Sequence, residues 1–402
     1  MPAVCFYFQV HQPYRLRKYS IFDSGDDFFA DERNRDICRR VAKKAYLPAN
    51  KLLLDLIEEN KGRFRVAFSL TGVVLEQFER YAPEVLASFQ ALAETGCVEF
   101  LAETYHHSLS FLYSRSEFVE QVELHREKTH ALFGQEPTVF RNTELVYGND
   151  LAFHAEQMGF RGVLCEGADE VLNGRTPNML YRPPGCERSV LFAKNYRLTD
   201  DIAFRFSNKA WPEWPLSAEK FAGWLAGPRG QGDVVNLFMD YETVGEHQWA
   251  ETGIFDFFRQ LPAAVLAHPG FSFRTPSEII DHCEPVGELD VSNMSSWADT
   301  ERDLSAWLGN AMQSNAMHEL YRLESAIKAC EKPKLLATWR RLQSSDHFYY
   351  MCVKYFSDGD VHKYFNPYES PYDSYINFMN VLDRLKELVG AEASAKLTPT
   401  AV

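Results

Sequence analysis

The first two thirds of the chain alternate short apolar runs with longer amphipathic stretches. Val4 to Val10, Phe64 to Leu70, Cys97 to Leu101, Pro137 to Phe140, Gly162 to Cys165, Ser189 to Ala193 and the run from Val234 to Met239 each read as strands buried on both faces. Helical spacing fills the gaps. Val41, Ala45, Leu52 and Leu56 recur within Asp36 to Asn60, while Phe118, Val122, Leu124 and Leu132 follow the capping-box spacing of Ser114 and Glu117 and stop at Gly134. A further helix opens near Asn149 and Asp150 and reaches Met158-Gly159, and the Gly-, Pro- and Asn-rich stretch Asn173 to Pro184 reads as a long loop. Strands and helices alternating at this spacing predict βαβ units and a mainly parallel sheet.

Nearly every predicted strand ends in polar groups. His11-Gln12-Pro13 follows the first, Thr71-Gly72 the second, Glu103-Thr104-Tyr105-His106-His107 the third, Arg141-Asn142-Thr143-Glu144 the fourth and Glu166 the fifth. The Val234 run changes within one residue to Asp240-Tyr241-Glu242, then Gly245-Glu246-His247-Gln248-Trp249. An open doubly wound sheet gathers ligand groups at one switch point, whereas a closed barrel turns all its strand ends toward one pocket. The expected fold is therefore α/β, with a parallel barrel over residues 1–285. Side chains two apart on a strand share a face, so Asp240 and Glu242 project together and Tyr241 opposite. Mutual repulsion raises the pKa of one of them, which suits it to proton donation; the plainer reading is a pair of acids capping the next helix.

Beyond Pro276 the pattern changes. From about Glu301 it is helical, with Ala316, Leu320, Leu323 and Ile327 at four-three-four spacing, and Ser370-Pro371 opens a last helix through Leu388, before Gly390. Residues 286–390 are expected to form a helical domain contributing to the substrate cleft, and 391–402 a flexible tail. This part is dense in aromatics beside acids: Trp297 with Asp299, Asp303 with Trp307, Asp346-His347-Phe348-Tyr349-Tyr350, and Tyr364 to Tyr372. Such surfaces grip sugar rings by stacking on C–H faces and accepting hydroxyl hydrogen bonds; they equally suit an aromatic interface between the two parts. Trp211 and Trp214, flanked by prolines, pose the same choice, whereas Trp224 reads as core.

Composition narrows the function classes. With 402 residues, 46% of them hydrophobic, the chain can bury a large core without staples. A net charge of -14 disfavours nucleic acid and leaves a neutral ligand unpenalised. The 8 cysteines form no CxxC pair and read as reduced core residues, neither a disulfide framework nor a zinc site. The N-terminus lacks a basic n-region, and no apolar segment is long enough to span a bilayer, so a soluble cytoplasmic protein without membrane partners is expected.

The ordered set His11-Gln12-Pro13, Gly72-Val73-Val74-Leu75-Glu76, Phe140-Arg141-Asn142-Thr143-Glu144-Leu145, Phe238-Met239-Asp240-Tyr241-Glu242 and the Trp297 to Trp307 stretch resembles the five motifs of glycoside hydrolase family 57. The chain is most similar to its α-amylase group, through Asp240 to His247 and Ser345-Asp346-His347-Phe348-Tyr349-Tyr350. The resemblance implies a (β/α)7 barrel with a C-terminal helical domain and a retaining mechanism on α-glucan, with neither metal nor cofactor. By position, Glu144 matches the nucleophile and Asp240 the general acid/base. His11, Glu76, His107, Arg141, Glu242, His247, Trp297, Asp299, Asp303, Trp307 and His347 are the residues expected to bind substrate. Two departures stand out: Arg141 occupies a position where some members have tryptophan, and Asp303 and Trp307 fall at a different spacing. The implied activity is cleavage of α-1,4-glucosidic bonds in starch- or glycogen-type glucans or maltooligosaccharides by double displacement. In such enzymes the two carboxyl groups sit roughly 5–5.5 Å apart. Three alternatives remain: a 4-α-glucanotransferase using the same intermediate, a non-catalytic glucan-binding protein, and a metal-dependent deacetylase or mannosidase drawing on His11, His106, His107, Asp240 and His247.

Overall fold

The computed structural model describes residues 2–354 and 366–397. Among the described residues there are nine strands: β1 (Ala3–Val10), β2 (Val66–Leu70), β3 (Val98–Phe100), β4 (Val139–Phe140), β5 (Gly162–Cys165), β6 (Leu180–Tyr181), β7 (Val190–Ala193), β8 (Val234–Asp240) and β9 (Ser272–Phe273). β1 pairs in parallel with β2 and β8, β2 with β3, β4 with β5, and β5 with β7. Two seams close the ring. Ala102 N–H donates to the Val139 carbonyl at 3.0 Å and its own carbonyl accepts from Arg141 N–H at 2.9 Å, joining β3 to β4. Asn195 N–H donates to the Asn236 carbonyl at 2.8 Å, joining β7 to β8. The result is a parallel barrel of β1, β2, β3, β4, β5, β7 and β8, wrapped by helices, as the polar strand ends predict. The expected loop Asn173 to Pro184 differs in one respect: it contributes β6, antiparallel to β7. β9 lies on β1 at Ala3 and Val4, below the span paired with β2.

Alternation along β1 explains why its pattern carries no polar face. Ala3, Cys5 and Tyr7 point into the barrel against Ala67, Leu101, Leu164, Phe192 and Phe238. Val4, Phe6, Phe8 and Val10 point outward into the helical layer. Both faces are buried, so both are apolar. Higher on the inward face the chemistry turns polar: Tyr7 hydroxyl donates to Gln9 Oε1 at 2.7 Å and pairs with Ser69 Oγ at 2.5 Å. The packed interior thus ends in a hydrogen-bonded floor on which a site can rest.

The helix expected at Asp36 to Asn60 runs as Asp31–Val41, a π-helical turn at Ala42–Tyr46, and Leu47–Glu59. π turns often accompany functional positions, and this one carries Tyr46 to the end of β8. The C-terminal part is helical, with Trp307, Ala316, Leu320, Ile327, Trp339, Phe348, Phe378 and Leu382 in one core. Leu16, Tyr19 and Phe28, from the loop after β1, and Val146, from the loop after β4, join that core. Asn377 Oδ1 accepts from Tyr19 N–H at 2.6 Å, tying the last helix to the barrel's rim. That helix spans Pro371–Leu397 and passes through Gly390, where the sequence pattern places its end. A helical glycine costs only about 1 kcal/mol, and the alanine-rich sequence after it favours continuation. Residues 398–402 and the Tyr364-Phe365 pair lie outside the described residues. Among the described residues no helix is long and apolar enough to cross a membrane.

Candidate active site

A cavity of about 640 Å³ opens at the C-terminal ends of the barrel strands, with one wall from the helical part. His11 reaches it from β1, His107 from the loop after β3, Glu144 from β4, Lys194 from β7, and Asp240 and Glu242 from β8. Trp297, Asp299, Trp307, Asp346 and Tyr349 complete it from the helical side.

Glu144 sits in a short 3₁₀ turn, Thr143–Leu145, with φ 58° and ψ 23°. A non-glycine residue rarely adopts this left-handed conformation without contacts that hold it. Three such contacts exist. Trp297 Nε1 donates to Glu144 Oε2 at 2.9 Å, Ser345 Oγ donates to Oε1 at 2.8 Å, and His107 Nε2 lies 3.3 Å from Oε1. Burial alone would raise the Glu144 pKa, but the hydrogen bond and charge of His107, with Arg141, outweigh it and hold the carboxyl below its usual value. Glu144 is therefore ionised at neutral pH.

Asp240 behaves oppositely. Its carboxyl is solvent-exposed, yet the solvent it meets lies at the bottom of a protein-walled cleft. Burial there, reinforced by the charge of Glu144, pushes its pKa up to about 6. Glu242 shares the cavity, as the two-residue spacing predicts, while Tyr241 turns into the helical core. Glu242 accepts a short hydrogen bond from Tyr46 hydroxyl, and burial with the Asp240 charge takes it to about 8. At neutral pH it is a carboxylic acid, not an anion.

The histidines form a stack. The His11 and His107 rings lie 4.0 Å apart between centroids, and His11 also meets Thr71 Oγ1 and Asp346 Oδ2, each at 2.9 Å. Arg141 is fully buried beneath this level, its guanidinium 4.7 Å from the centre of the Trp297 ring. Lys194 Nζ bonds Glu166 Oε2 at 3.3 Å, and Arg302 reaches the same oxygen at 3.3 Å, so a two-cation, two-acid lattice with Asp200 underlies Trp297. Burial lowers the His247 pKa, leaving a neutral ring on the cavity wall.

Of the residues singled out in the sequence, the structure brings His11, His107, Glu144, Asp240, Glu242, His247, Trp297, Asp299 and Trp307 to one cavity, with Arg141 directly behind Trp297. Three others do not line it. Glu76 lies one turn into the helix Gly72–Tyr81, where it pairs with Arg341 at 2.8 Å and accepts from Tyr105 hydroxyl. Gly72 itself answers to packing, since a Cβ there would meet the Tyr105 ring at 2.3 Å. Asp303 accepts from Ser305 N–H at 2.8 Å and so holds the turn before Trp307. His347 packs against Phe378, and its neighbour Asp346 takes the cavity face, because adjacent helical residues point about 100° apart. Asp346, Ser345, Lys194, Asp200 and Gln12 are the additions that sequence reasoning did not single out for the site. Ser345 and Asp346 sit inside a motif already noticed; Lys194 and Asp200 carry no local signal beyond following a strand.

Among the described residues no group of three or more His, Cys, Asp and Glu side chains is arranged to hold a metal ion. His106, one of the candidate ligands, points away from the cavity and lies against Tyr105.

Comparison with known proteins gives a consistent picture. The family model described as Glycosyl hydrolase family 57 matches residues 5–292. A Methanocaldococcus jannaschii protein named "Putative alpha-amylase" is 42% identical over 394 residues, covering 94% of this chain and 83% of its own. Among solved structures, a GH57-type branching enzyme from Pyrococcus horikoshii superposes with a TM-score of 0.67 at 16% identity, covering 98% of this chain and 91% of that one. A 4-alpha-glucanotransferase from Thermococcus litoralis superposes with a TM-score of 0.65 at 16% identity, covering 87% of this chain and 56% of that one.

Proposed function

The chain belongs to glycosyl hydrolase family 57 and is a glycoside hydrolase, and from that premise we propose that it cleaves α-1,4-glucosidic bonds of starch- or glycogen-type glucans or maltooligosaccharides with retention of configuration. The observation that carries this reading is a pair of carboxyl groups facing one cavity with pKa values driven apart: Glu144 held low and Asp240 raised to about 6. Divergent environments of this kind assign an anion and an acid to separate tasks.

In the proposed mechanism a Glu144 oxygen attacks the anomeric carbon. The glycosidic C–O bond breaks, and Asp240 gives its proton to the departing oxygen. A glycosyl ester on Glu144 results. Asp240, now an anion, takes a proton from water, whose oxygen attacks the same carbon and releases Glu144. Ser345 and His107 occupy Oε1 and Trp297 occupies Oε2, which leaves a free lone pair for the attack. Trp297 offers an apolar face to a sugar ring, while Trp307, buried in the helical core, backs the cavity wall. His11, Glu242, His247, Asp299 and Asp346 offer polar edges to hydroxyls, with Arg141 supporting Trp297 from behind.

Incubation with maltoheptaose, following reducing ends and product lengths together, tests the proposal. New reducing ends are expected. Redistribution of lengths without new ends would assign the same covalent intermediate to a sugar acceptor, and neither change would remove the catalytic reading.

A further inference from the structure

The structure assigns Glu103 as the positioning residue that fixes His107 against Glu144, one contact removed from the substrate. Glu103 follows β3, is fully buried, and does not line the cavity, so it cannot touch a bound sugar. Its Oε1 accepts from Gln9 Nε2 at 3.0 Å, which fixes the carboxylate to the polar floor of the barrel. Its Oε2 lies 3.3 Å from His107 Nδ1. On the other side of that ring, Nε2 lies 3.3 Å from Glu144 Oε1. A neutral imidazole has one N–H and can donate to one carboxylate only; bonding to both requires the doubly protonated ring.

The charges around His107 favour that state. Glu103 and Glu144 are in direct contact, and Asp346 and Asp240 act at longer range; Arg141 and the stacked His11 oppose them. Burial by itself would neutralise the ring, yet the two carboxylates overcome it and take its pKa to about 9. Glu103 is itself pushed up by burial and brought down by His107 and Arg141, to about 2. The backbone is set for the same geometry: His107 has φ 53° and Glu144 φ 58°, two left-handed residues facing each other. Neutralising Arg141 does not account for the arrangement, since that guanidinium stays 3.9 Å from Glu103 while the imidazole is nearer. Glu103 thus anchors a cation whose other end holds the carboxylate that must remain ionised and aimed.

This inference rests on Glu144 being the nucleophile, so that assignment is tested alongside. Glu103→Gln preserves shape and an acceptor oxygen but removes the charge. It is expected to lower kcat on maltoheptaose about 10- to 100-fold with KM little changed, and to raise the acidic limb of the kcat/KM profile by about one pH unit, because Glu144 loses its cationic partner. A uniform loss with no limb shift, or an unchanged profile, overturns the positioning role. Should that variant fail to fold, ¹⁵N spectra of the wild-type histidines, with His107 assigned by His107→Gln, decide the matter. Both ring nitrogens protonated at pH 7 is the expected result, and a neutral ring overturns it. Rescue of Glu144→Ala by azide reports separately on the nucleophile, so failure there is distinguishable from failure here.

Discussion

Trp297 donates its indole N–H to Glu144 Oε2 at 2.9 Å, and its backbone N–H donates to the Glu144 carbonyl at 3.2 Å. A residue contributed after the barrel therefore holds the proposed nucleophile by both side chain and main chain. The Tyr147 and Ser295 backbones exchange a pair of hydrogen bonds at 2.9 Å beside this contact, fastening the two loops together. Trp297→Phe keeps an aromatic ring beside Arg141 while removing the indole donor together with part of the ring's area. A hydrogen bond to a charged group contributes about 1.5–3 kcal/mol, so kcat should fall roughly 10- to 100-fold. Steady-state kinetics with intact near-ultraviolet dichroism would check this; turnover within twofold of wild type would mean that the indole N–H does not position Glu144.

Removing either carboxylate should be far more damaging than removing a donor. Glu144→Gln cannot form the glycosyl ester, and Asp240→Asn cannot release a proton to the leaving oxygen. Each should lose about 10³-fold or more in kcat/KM while retaining the wild-type melting temperature. Near-wild-type turnover in either variant would mean that its role belongs to another residue.

Why some of this was legible in the sequence, and some was not, follows from the physics of each element. β1 could be read because a strand buried on both faces shows an apolar run, interrupted only by Gln9 before it ends at His11. Asp240 and Glu242 could be read because a strand's two-residue period carries past its end into the cavity. The seams of the barrel could not, since one is an isolated bridge of Ala102 to Phe140 and the other rests on one backbone hydrogen bond from Asn195 and one from the Asn236 side chain to the Ala193 carbonyl, contacts that leave no periodic pattern in the sequence. Glu76 misleads because the glycine before it serves the Tyr105 ring and the intervening turn rotates Glu76 toward Arg341. His347 misleads by a single residue, which on a helix changes the face. Glu103 is visible as a polar strand end, but only the fold shows that it stops behind His107, off the cavity wall.

The two proposed catalytic carboxyls set the pH profile. Asp240 must carry its proton for the first step, and its pKa is raised to about 6, so kcat/KM should fall about tenfold per pH unit above that point. Glu144 must be ionised, and its pKa lies below the usual carboxylate value, so the acidic limb lies below that of an ordinary glutamate. The maximum is therefore mildly acidic. A profile flat from pH 5 to 8 would remove Asp240 as the proton donor.

Glu242 gives a stability prediction with an unambiguous sign. Burial and the neighbouring Asp240 charge raise its folded pKa to about 8, against roughly 4.3 for an unfolded glutamate. Between those two values the folded chain holds one proton more than the unfolded chain at this position. Stability from this group is fully present below about pH 4 and declines by about 1.4 kcal/mol per pH unit until about pH 8, where the folded carboxyl also ionises. Glu242→Gln is neutral at every pH and keeps an oxygen for Tyr46 hydroxyl, so it lacks this decline. Urea midpoints of both proteins, measured from pH 5 to 8, should diverge steadily as pH rises, the variant becoming the relatively more stable. The common contribution of every other titrating group cancels in the difference between the two curves. Parallel curves would show that Glu242 is already ionised in the folded protein, and that Tyr46 stabilises an anion rather than meeting a neutral acid.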